Sequence, residues 1–93
     1  MLNPLHFAFN VPVLLALEDP EGQYDFENQT GTYQTTTGQT LTLPRPAVIQ
    51  LNALEPRPGE ELQITRHWKG TPGSPVEWTV CLSPRTEQLR AAR

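Results

Sequence analysis

The N-terminal stretch LHFAFNVPVLLAL, residues 5–17, constrains the fold of this chain more than any other feature. Its odd positions are all apolar: Leu5, Phe7, Phe9, Val11, Val13, Leu15 and Leu17. Strict alternation of this kind indicates a β-strand with one face on the core. Strands usually run about five or six residues, and one this long seldom stays straight. We therefore expect a bent first strand that pairs with neighbours on both of its edges, as in small closed barrels.

Length and composition limit what the chain can build. Ninety-three residues suffice for one small domain, and ten prolines exclude long helices. The single cysteine, Cys81, cannot form an internal disulfide, which favours a cytoplasmic protein. The apolar N-terminal stretch lacks a preceding basic residue and is interrupted by polar residues and prolines, so we read it as mature structure. No apolar run reaches membrane-spanning length, so we expect no membrane association.

The net charge of −3 is unevenly distributed along the sequence. Residues 1–44 contain no Lys or Arg and sum to −5, with acids at Glu18, Asp19, Glu21, Asp25 and Glu27. Residues 45–93 contain all seven basic residues and sum to +2. A polyanion would therefore approach through the second half of the chain and avoid residues 18–27.

The middle of the chain predicts a β-hairpin. Residues 28–44 contain no charge and seven threonines, whose β-branched side chains suit strands with one wet face. Gly38 would supply the positive φ of a tight turn between the two strands. Tyr33, Leu41 and Leu43 should face the core. Either the hairpin is simply hydrated, or another element or another chain covers its uncharged edge.

Beyond the hairpin, the apolar period changes. Residues 44–54 repeat apolar side chains at helical spacing, and Pro46 suits a first helical turn, so they predict a short helix that plugs the core. We assign residues 1–83 to one β-barrel domain. Residues 84–93 form a short tail, which we expect to be helical or disordered.

Two further segments alternate with a period of two. Residues 60–69 and 76–83 predict a pair of strands joined by the loop GTPGSP. Pairing centred on that loop places His67 opposite Glu77. It also places Arg66 opposite Trp78. The second pair would lie close enough for a cation–π contact.

The order of these elements resembles the OB-fold over residues 5–83. That fold is a mainly β, five-stranded Greek-key barrel, here with one short helix between strands 3 and 4. The resemblance implies a ligand groove bounded by the loops 18–29 and 69–75, and many members of the family bind single-stranded nucleic acid. The first of these two loops is acidic in this chain, which disfavours nucleic acid there.

A second resemblance provides an alternative. The run GQTLTLP, short helix, PGEELQI is similar to the corresponding run of AbrB-type swapped-hairpin DNA-binding proteins. The segment from Pro44 to Gly59 is longer than that family uses. The long first strand and the Trp-bearing last strand have no counterpart in that family.

No catalytic or cofactor-binding signature is present. Cys81 and His67 would lie apart in the expected strand pairing, and no third orienting group accompanies them. There is no phosphate-cradling glycine loop and no zinc spacing, and the acids of residues 18–27 lack the offsets of an EF-hand. We therefore expect a binding module that is not an enzyme and uses no metal or cofactor.

Cations and aromatic residues in the second half form a candidate site for single-stranded nucleic acid. Its members are Arg45, Arg57, Arg66, His67, Trp68 and Lys69. Bases could stack on the indole while the cations neutralise phosphates. The strand pattern places Trp68 on the inward face, so it is either part of the core or a stacking platform. The acidic net charge confines this hypothesis to a local patch.

The alternative hypothesis is a protein-interaction module or inhibitor. The candidate residues are the polar side chains of the hairpin and two acids of the preceding loop: Thr32, Gln34, Thr36, Thr40, Thr42, Glu21 and Asp25. The hairpin could accept an added strand or self-associate, and the acidic loop could dock on a basic partner.

Overall fold

The computed structural model describes residues 3–92; Met1, Leu2 and Arg93, which belong to the expected domain and tail, lie outside the described residues. The described chain is mainly β, with two three-stranded antiparallel sheets and two helices. Its elements in order are β1 Val13–Ala16, β2 Gln23–Asp25, β3 Thr30–Gln34, β4 Thr40–Pro44, α1 Arg45–Leu54, β5 Glu61–His67, β6 Glu77–Leu82 and α2 Pro84–Ala91. The hairpin sheet has the order β2-β3-β4, and the long sheet has the order β1-β5-β6.

The prediction of a five-stranded barrel with one helix between strands 3 and 4 is wrong. Within residues 3–92 the strands number six and do not close into a barrel. The additional strand is β2, which forms inside the acidic loop and pairs with β3. As a result α1 lies between the fourth and fifth strands, and the second helix, α2, follows β6.

The first strand is much shorter than the thirteen-residue alternation predicts. Only Val13–Ala16 forms a regular strand, paired antiparallel with β5. Two residues interrupt the pattern. Asn10 adopts a left-handed conformation with φ of 64°, and Pro12 has no N–H to donate to a sheet ladder.

Residues 3–10, which we name the strap, connect the two sheets. At one end Leu5 N donates to Thr40 O and Thr40 N donates to Asn3 O, each over 2.8 Å, which joins the strap to β4. At the other end Asn10 N donates to Arg66 O over 2.7 Å, which joins it to β5. The prediction of one bent strand paired on both edges is therefore wrong: this stretch contacts the two sheets through isolated bridges, and β1 pairs with β5 alone.

The two predicted strand pairs form as expected. In the hairpin sheet Tyr33 lies opposite Leu41, and Gly38 adopts φ of 84° in the connecting turn. In the long sheet His67 lies opposite Glu77, and Arg66 lies opposite Trp78. Alternation therefore predicted the register of β5 with β6 and the inward face of the hairpin correctly, because shifting a strand by one residue would turn its apolar side chains to solvent.

The core lies between the sheets and is covered by α1. Its buried apolar residues are Phe7, Leu17, Tyr33, Leu41, Leu43, Ala47, Val48, Leu51, Leu62, Ile64 and Val80. Helix α1 contributes three of them at the predicted helical spacing, and Pro46 lies in its first turn, where a missing N–H costs nothing. The helix thus plugs the space between the hairpin sheet and β6, as its periodicity predicted.

The outer edge of β6 is capped by one side chain of α1. Gln50 Nε2 donates to Trp78 O over 2.7 Å, and Val80 N donates to Gln50 Oε1 over 2.8 Å. The side-chain amide therefore makes the two bonds that the peptide group of a neighbouring strand would make. This pairing satisfies an edge that would otherwise be open to another chain.

Helix α2 is fixed to the rest of the chain at both ends. At its start the Ser83 hydroxyl caps Thr86 N, and Thr86 Oγ1 donates to Glu61 O. Near its end Arg90 makes a bidentate ion pair with Glu60 and also donates to Leu54 O, at the C-terminus of α1. In residues 3–92 neither helix is long and apolar enough to cross a bilayer.

The edge cap predicts a specific effect of Gln50→Glu. At pH 7 the carboxylate still accepts from Val80 N but cannot donate to Trp78 O, so we expect the free energy of unfolding to fall by about 1–3 kcal/mol. At pH 4 the protonated acid can donate again, and the loss relative to wild type should shrink. Urea denaturation at both pH values measures the free energy of unfolding. Gln88→Glu, on the exposed face of α2, is the matched control. An equal loss at both pH values would show that the donated bond is unimportant.

Candidate functional sites

A groove of about 510 Å³ opens where β5 ends; we name it the end groove. Its lining residues are Asn10, His67, Trp68, Lys69, Ser74, Pro75, Glu77 and Thr79. They come from the strap, from the end of β5, and from the loop and first residues leading into β6. The groove therefore unites three of the six residues predicted to bind nucleic acid: His67, Trp68 and Lys69.

The side chain of Asn10 holds the main chain of Trp68 in place. Asn10 Nδ2 donates to Trp68 O over 2.8 Å, and Trp68 N donates to Asn10 Oδ1 over 3.1 Å. These bonds extend β5 by one residue without a partner strand. Asparagine tolerates the left-handed conformation seen here better than most residues, so a single residue both turns the strap and fixes Trp68.

A stack of three side chains borders the end groove. The Phe9 ring lies 5.2 Å from the Trp68 ring, centroid to centroid, at a tilt of 43°. The Arg66 guanidinium also lies over the Phe9 ring, with its Cζ atom 4.1 Å from the ring centroid. Phe9 remains 38% exposed and Trp68 is half-buried, so the stack has an accessible aromatic surface.

The cation–π partner of Arg66 differs from the predicted one. The strand register brings Trp78 opposite Arg66 as expected, but the Trp78 ring packs edge-on against Phe7, with centroids 5.3 Å apart. The guanidinium instead donates from Nη2 to Phe7 O over 2.7 Å and contacts the face of Phe9. Its Nε atom is buried without a hydrogen-bond partner among the described residues, and the ring face of Phe9 provides partial electrostatic compensation.

The groove carries mixed charge. Lys69 and Glu77 are both exposed on its walls. Between them His67 Nε2 lies 2.9 Å from Thr79 Oγ1, a hydrogen bond that fixes the imidazole beside Glu77 in the neighbouring strand. The groove thus contains one lysine ammonium group, one imidazole and one carboxylate.

The other three residues of the predicted nucleic-acid set are not part of this groove. Arg66 lies beneath it with its guanidinium committed to the strap. Arg45 begins α1 and lines a different groove. Arg57 follows α1 and lies near the start of β5, where its main-chain N–H donates to the Glu60 carboxylate.

A second surface, the aromatic patch, lies between α1 and the end of β2. Its residues are Tyr24, Phe26, Gln29, Arg45, Val48, Ile49 and Asn52, around a groove of about 370 Å³. Phe26 is 85% exposed, the largest exposed fraction of any large apolar side chain in residues 3–92, and Ile49 is 56% exposed. The rings of Tyr24 and Phe26 meet edge-on with centroids 5.0 Å apart.

The turn that presents Phe26 is held by the preceding residue. Asp25 Oδ1 accepts from Glu27 N and Asn28 N, and Asp25 Oδ2 accepts from Asn28 Nδ2. The hydrogen bonds from Asn28 hold the pKa of the exposed Asp25 carboxyl below its ordinary value, and the bond from the Asn28 side chain has the largest effect. Because these bonds fix the turn, Phe26 points to solvent.

The patch also depends on a glycine. A Cβ at Gly31 would lie 2.8 Å from Val48 Cγ2, so only glycine lets α1 pack this closely on β3. The sequence analysis does not predict the patch, because Tyr24 and Phe26 alternate as the residues of a short strand would and this pattern does not show that Phe26 is exposed. The one available signal was the turn chemistry of Asp25 and Asn28, which favours a chain reversal immediately after the strand.

The residues predicted for protein interaction occupy two places. Four lie on the face of the hairpin sheet turned away from the core: Thr32, Gln34, Thr40 and Thr42. Thr36 is exposed in the hairpin turn, and Glu21 and Asp25 are exposed in the acidic loop. The strap covers the edge of β4 at Thr40. At that position an element of the same chain lies on the hairpin edge, which is one of the two possibilities that the sequence left open.

Residues with catalytic potential do not converge. Cys81 lies opposite Gln63 and donates to its carbonyl over 3.6 Å. Gln63 is four residues before His67, about 13 Å along the strand at roughly 3.3 Å per residue. Within residues 3–92 no three His, Cys, Asp or Glu side chains cluster in a way that could hold a metal ion.

Comparison with known proteins gives no match: no protein-family model, no curated protein and no solved structure is similar to this chain. Function has to be inferred from the end groove and the aromatic patch, because a fold does not by itself define an activity.

The geometry of the end groove predicts the effect of Asn10→Gly. Glycine keeps the left-handed backbone but removes both bonds to Trp68, so we expect the free energy of unfolding to fall by about 1–2 kcal/mol. Asn10→Asp, which keeps an acceptor for Trp68 N and loses the donor, should lie between Asn10→Gly and wild type. Urea denaturation followed by tryptophan fluorescence measures both. Wild-type stability in Asn10→Gly would contradict this role.

Proposed function

We propose that this protein is a non-enzymatic binding module that binds single-stranded nucleic acid at the end groove. The observation that supports it best is the accessible Phe9–Trp68 pair beside Lys69 and His67. Unpaired bases stack on aromatic side chains, and each such contact contributes about 1–3 kcal/mol. The free thiol of Cys81 fits a reducing, cytoplasmic setting for such a module.

Contacts within the chain hold the stack in place without a ligand. Asn10 fixes the main chain of Trp68, and the Arg66 guanidinium lies over the Phe9 ring. A preorganised aromatic surface loses little side-chain entropy on binding, so more of the stacking energy contributes to affinity. The cation beneath Phe9 also adds electrostatic attraction for stacked groups, although it is not free to contact phosphate.

The charge distribution favours this end of the molecule. The antiparallel register places Ala16 opposite Glu61, so the acidic loop begins near the start of β5. His67 lies at the other end of that strand, about 20 Å away at roughly 3.3 Å per residue. This distance exceeds the Debye length of about 8 Å at physiological ionic strength, so the loop repels phosphate at the groove only weakly.

The expected affinity is modest and moderately salt-dependent. Lys69 is the cation of the groove, and Glu77 opposes it. With about one phosphate neutralised, the logarithm of the binding constant should fall with the logarithm of salt concentration with a slope of about −0.7. Base stacking rather than charge would then supply most of the binding free energy.

Fluorescence titration with oligothymidylate at low and moderate salt tests the proposal. Lys69→Ala should weaken binding several-fold and reduce the salt slope by about 0.7, because it removes one phosphate contact. Arg57→Ala is the matched control, since it makes the same change of charge outside the groove, and it should leave binding unchanged. Phe9→Leu should weaken binding by about fivefold or more at both salt concentrations.

Two results would contradict the proposal. One is the absence of salt-sensitive quenching with the wild-type protein at low ionic strength. The other is an equal loss of affinity in Lys69→Ala and Arg57→Ala, which would mean that binding follows total charge and not the end groove.

A further inference from the structure

Nucleic-acid binding at the end groove does not explain the aromatic patch, which has the most exposed large apolar side chain of residues 3–92. The patch also differs chemically from the end groove. We propose that it docks a basic segment of a partner protein, with a large apolar side chain of that segment inserted between Phe26 and Ile49 and its Lys or Arg residues facing the acidic loop. This site goes beyond the proposed nucleic-acid function and does not depend on it.

The apolar exposure of the patch calls for a partner. Phe26 and Ile49 are 85% and 56% exposed, and both border the same groove. Single exposed apolar residues are ordinary, but aromatic side chains grouped around a concavity mark interaction sites. Aromatic residues are also enriched among those that dominate binding energies at protein interfaces.

The groove has two firm walls. One is the outer face of α1, where Arg45, Ile49 and Asn52 follow one another at helical spacing. The other is the turn after β2, which the Asp25 carboxylate holds through its bonds to Glu27 N and Asn28 N. Because the turn is already ordered, docking would not have to supply the free energy of ordering it.

Charge selects the class of occupant. Asp25 lies between the two aromatic residues of the patch in sequence, Glu27 follows Phe26, and Glu21 precedes β2. Residues 18–27 sum to −5, whereas Arg45 is the one cation that lines the groove. The exposed carboxylates of Asp25 and Glu27 flank the groove on either side of Phe26, so a segment whose Lys and Arg residues lie outside the groove would be attracted. A basic protein segment is therefore the chemistry that fits both the apolar groove and its surroundings.

Synthetic fluorescent peptides provide a defined probe. The test peptide carries a central Leu–Trp pair flanked by lysines, and two matched peptides replace either the lysines by glutamates or the Leu–Trp pair by Ser–Gly. Fluorescence anisotropy with the full chain should show saturable binding of the first peptide only. Binding should weaken with salt, since exposed charges contribute to it.

Matched variants locate the peptide on the surface. Phe26→Ser should lower the affinity by at least about tenfold, as expected when an interface anchor is removed. Leu89→Ser is its control, because Leu89 is 57% exposed on α2 and lies outside the patch. Glu27→Gln should lower the affinity by a few-fold, with Glu87→Gln on α2 as the control of equal charge change.

The outcomes separate this inference from nucleic-acid binding. If Phe26→Ser loses the peptide but still binds oligothymidylate like wild type, the two sites are distinct and the inference stands. The inference is overturned if no peptide binds, if all three peptides bind alike, or if Leu89→Ser loses as much affinity as Phe26→Ser. It is also overturned if oligothymidylate displaces the peptide, since the patch would then accept nucleic acid.

Discussion

Every open edge of a β-sheet presents main-chain donors and acceptors that need partners, and this constraint organises the molecule. Six short strands in two sheets leave more such edges than a closed barrel would. Polar side chains take the place of missing strands: Gln50 bonds to Trp78 O and Val80 N on β6, Asn10 bonds to Trp68, and Arg66 bonds to the strap. Gln50 bonds along the outer edge of β6, and Asn10 bonds to the residue just beyond β5, so these side chains bond to main-chain groups that the ladders do not reach.

The same side chains determine which surfaces are available for binding. Asn10 and Arg66 fix the Phe9–Trp68 pair at one end of β5, next to Lys69. The acidic loop starts at the other end of that strand. The two candidate surfaces therefore differ in their surroundings: the end groove combines aromatic rings with Lys69, whereas the aromatic patch lies next to the exposed carboxylates of Asp25 and Glu27. A module that contacted a nucleic acid at one surface and a basic protein at the other would use both.

Alternation in the sequence was sufficient to predict the two hairpins, the register of β5 with β6 and the buried face of α1, because a slip in any of them would expose core residues. It was not sufficient for the first strand. The break there depends on the bond from Asn10 to Trp68, fifty-eight residues away, which no local pattern reveals. Pro12 inside the alternation was the available warning. The exposure of Phe26 was equally hidden, since a turn fixed by Asp25 outweighed the tendency of an aromatic side chain to be buried.

Native-state hydrogen exchange tests most directly whether side chains replace strand partners here. The amides of Trp68 and Val80 donate to the side chains of Asn10 and Gln50, not to a neighbouring strand. The account predicts that both amides are protected to a degree comparable with those of the β5–β6 ladder, because they open only when the surrounding structure opens. Exchange of these two amides at the rate of unstructured peptides, with the ladder still protected, would contradict it.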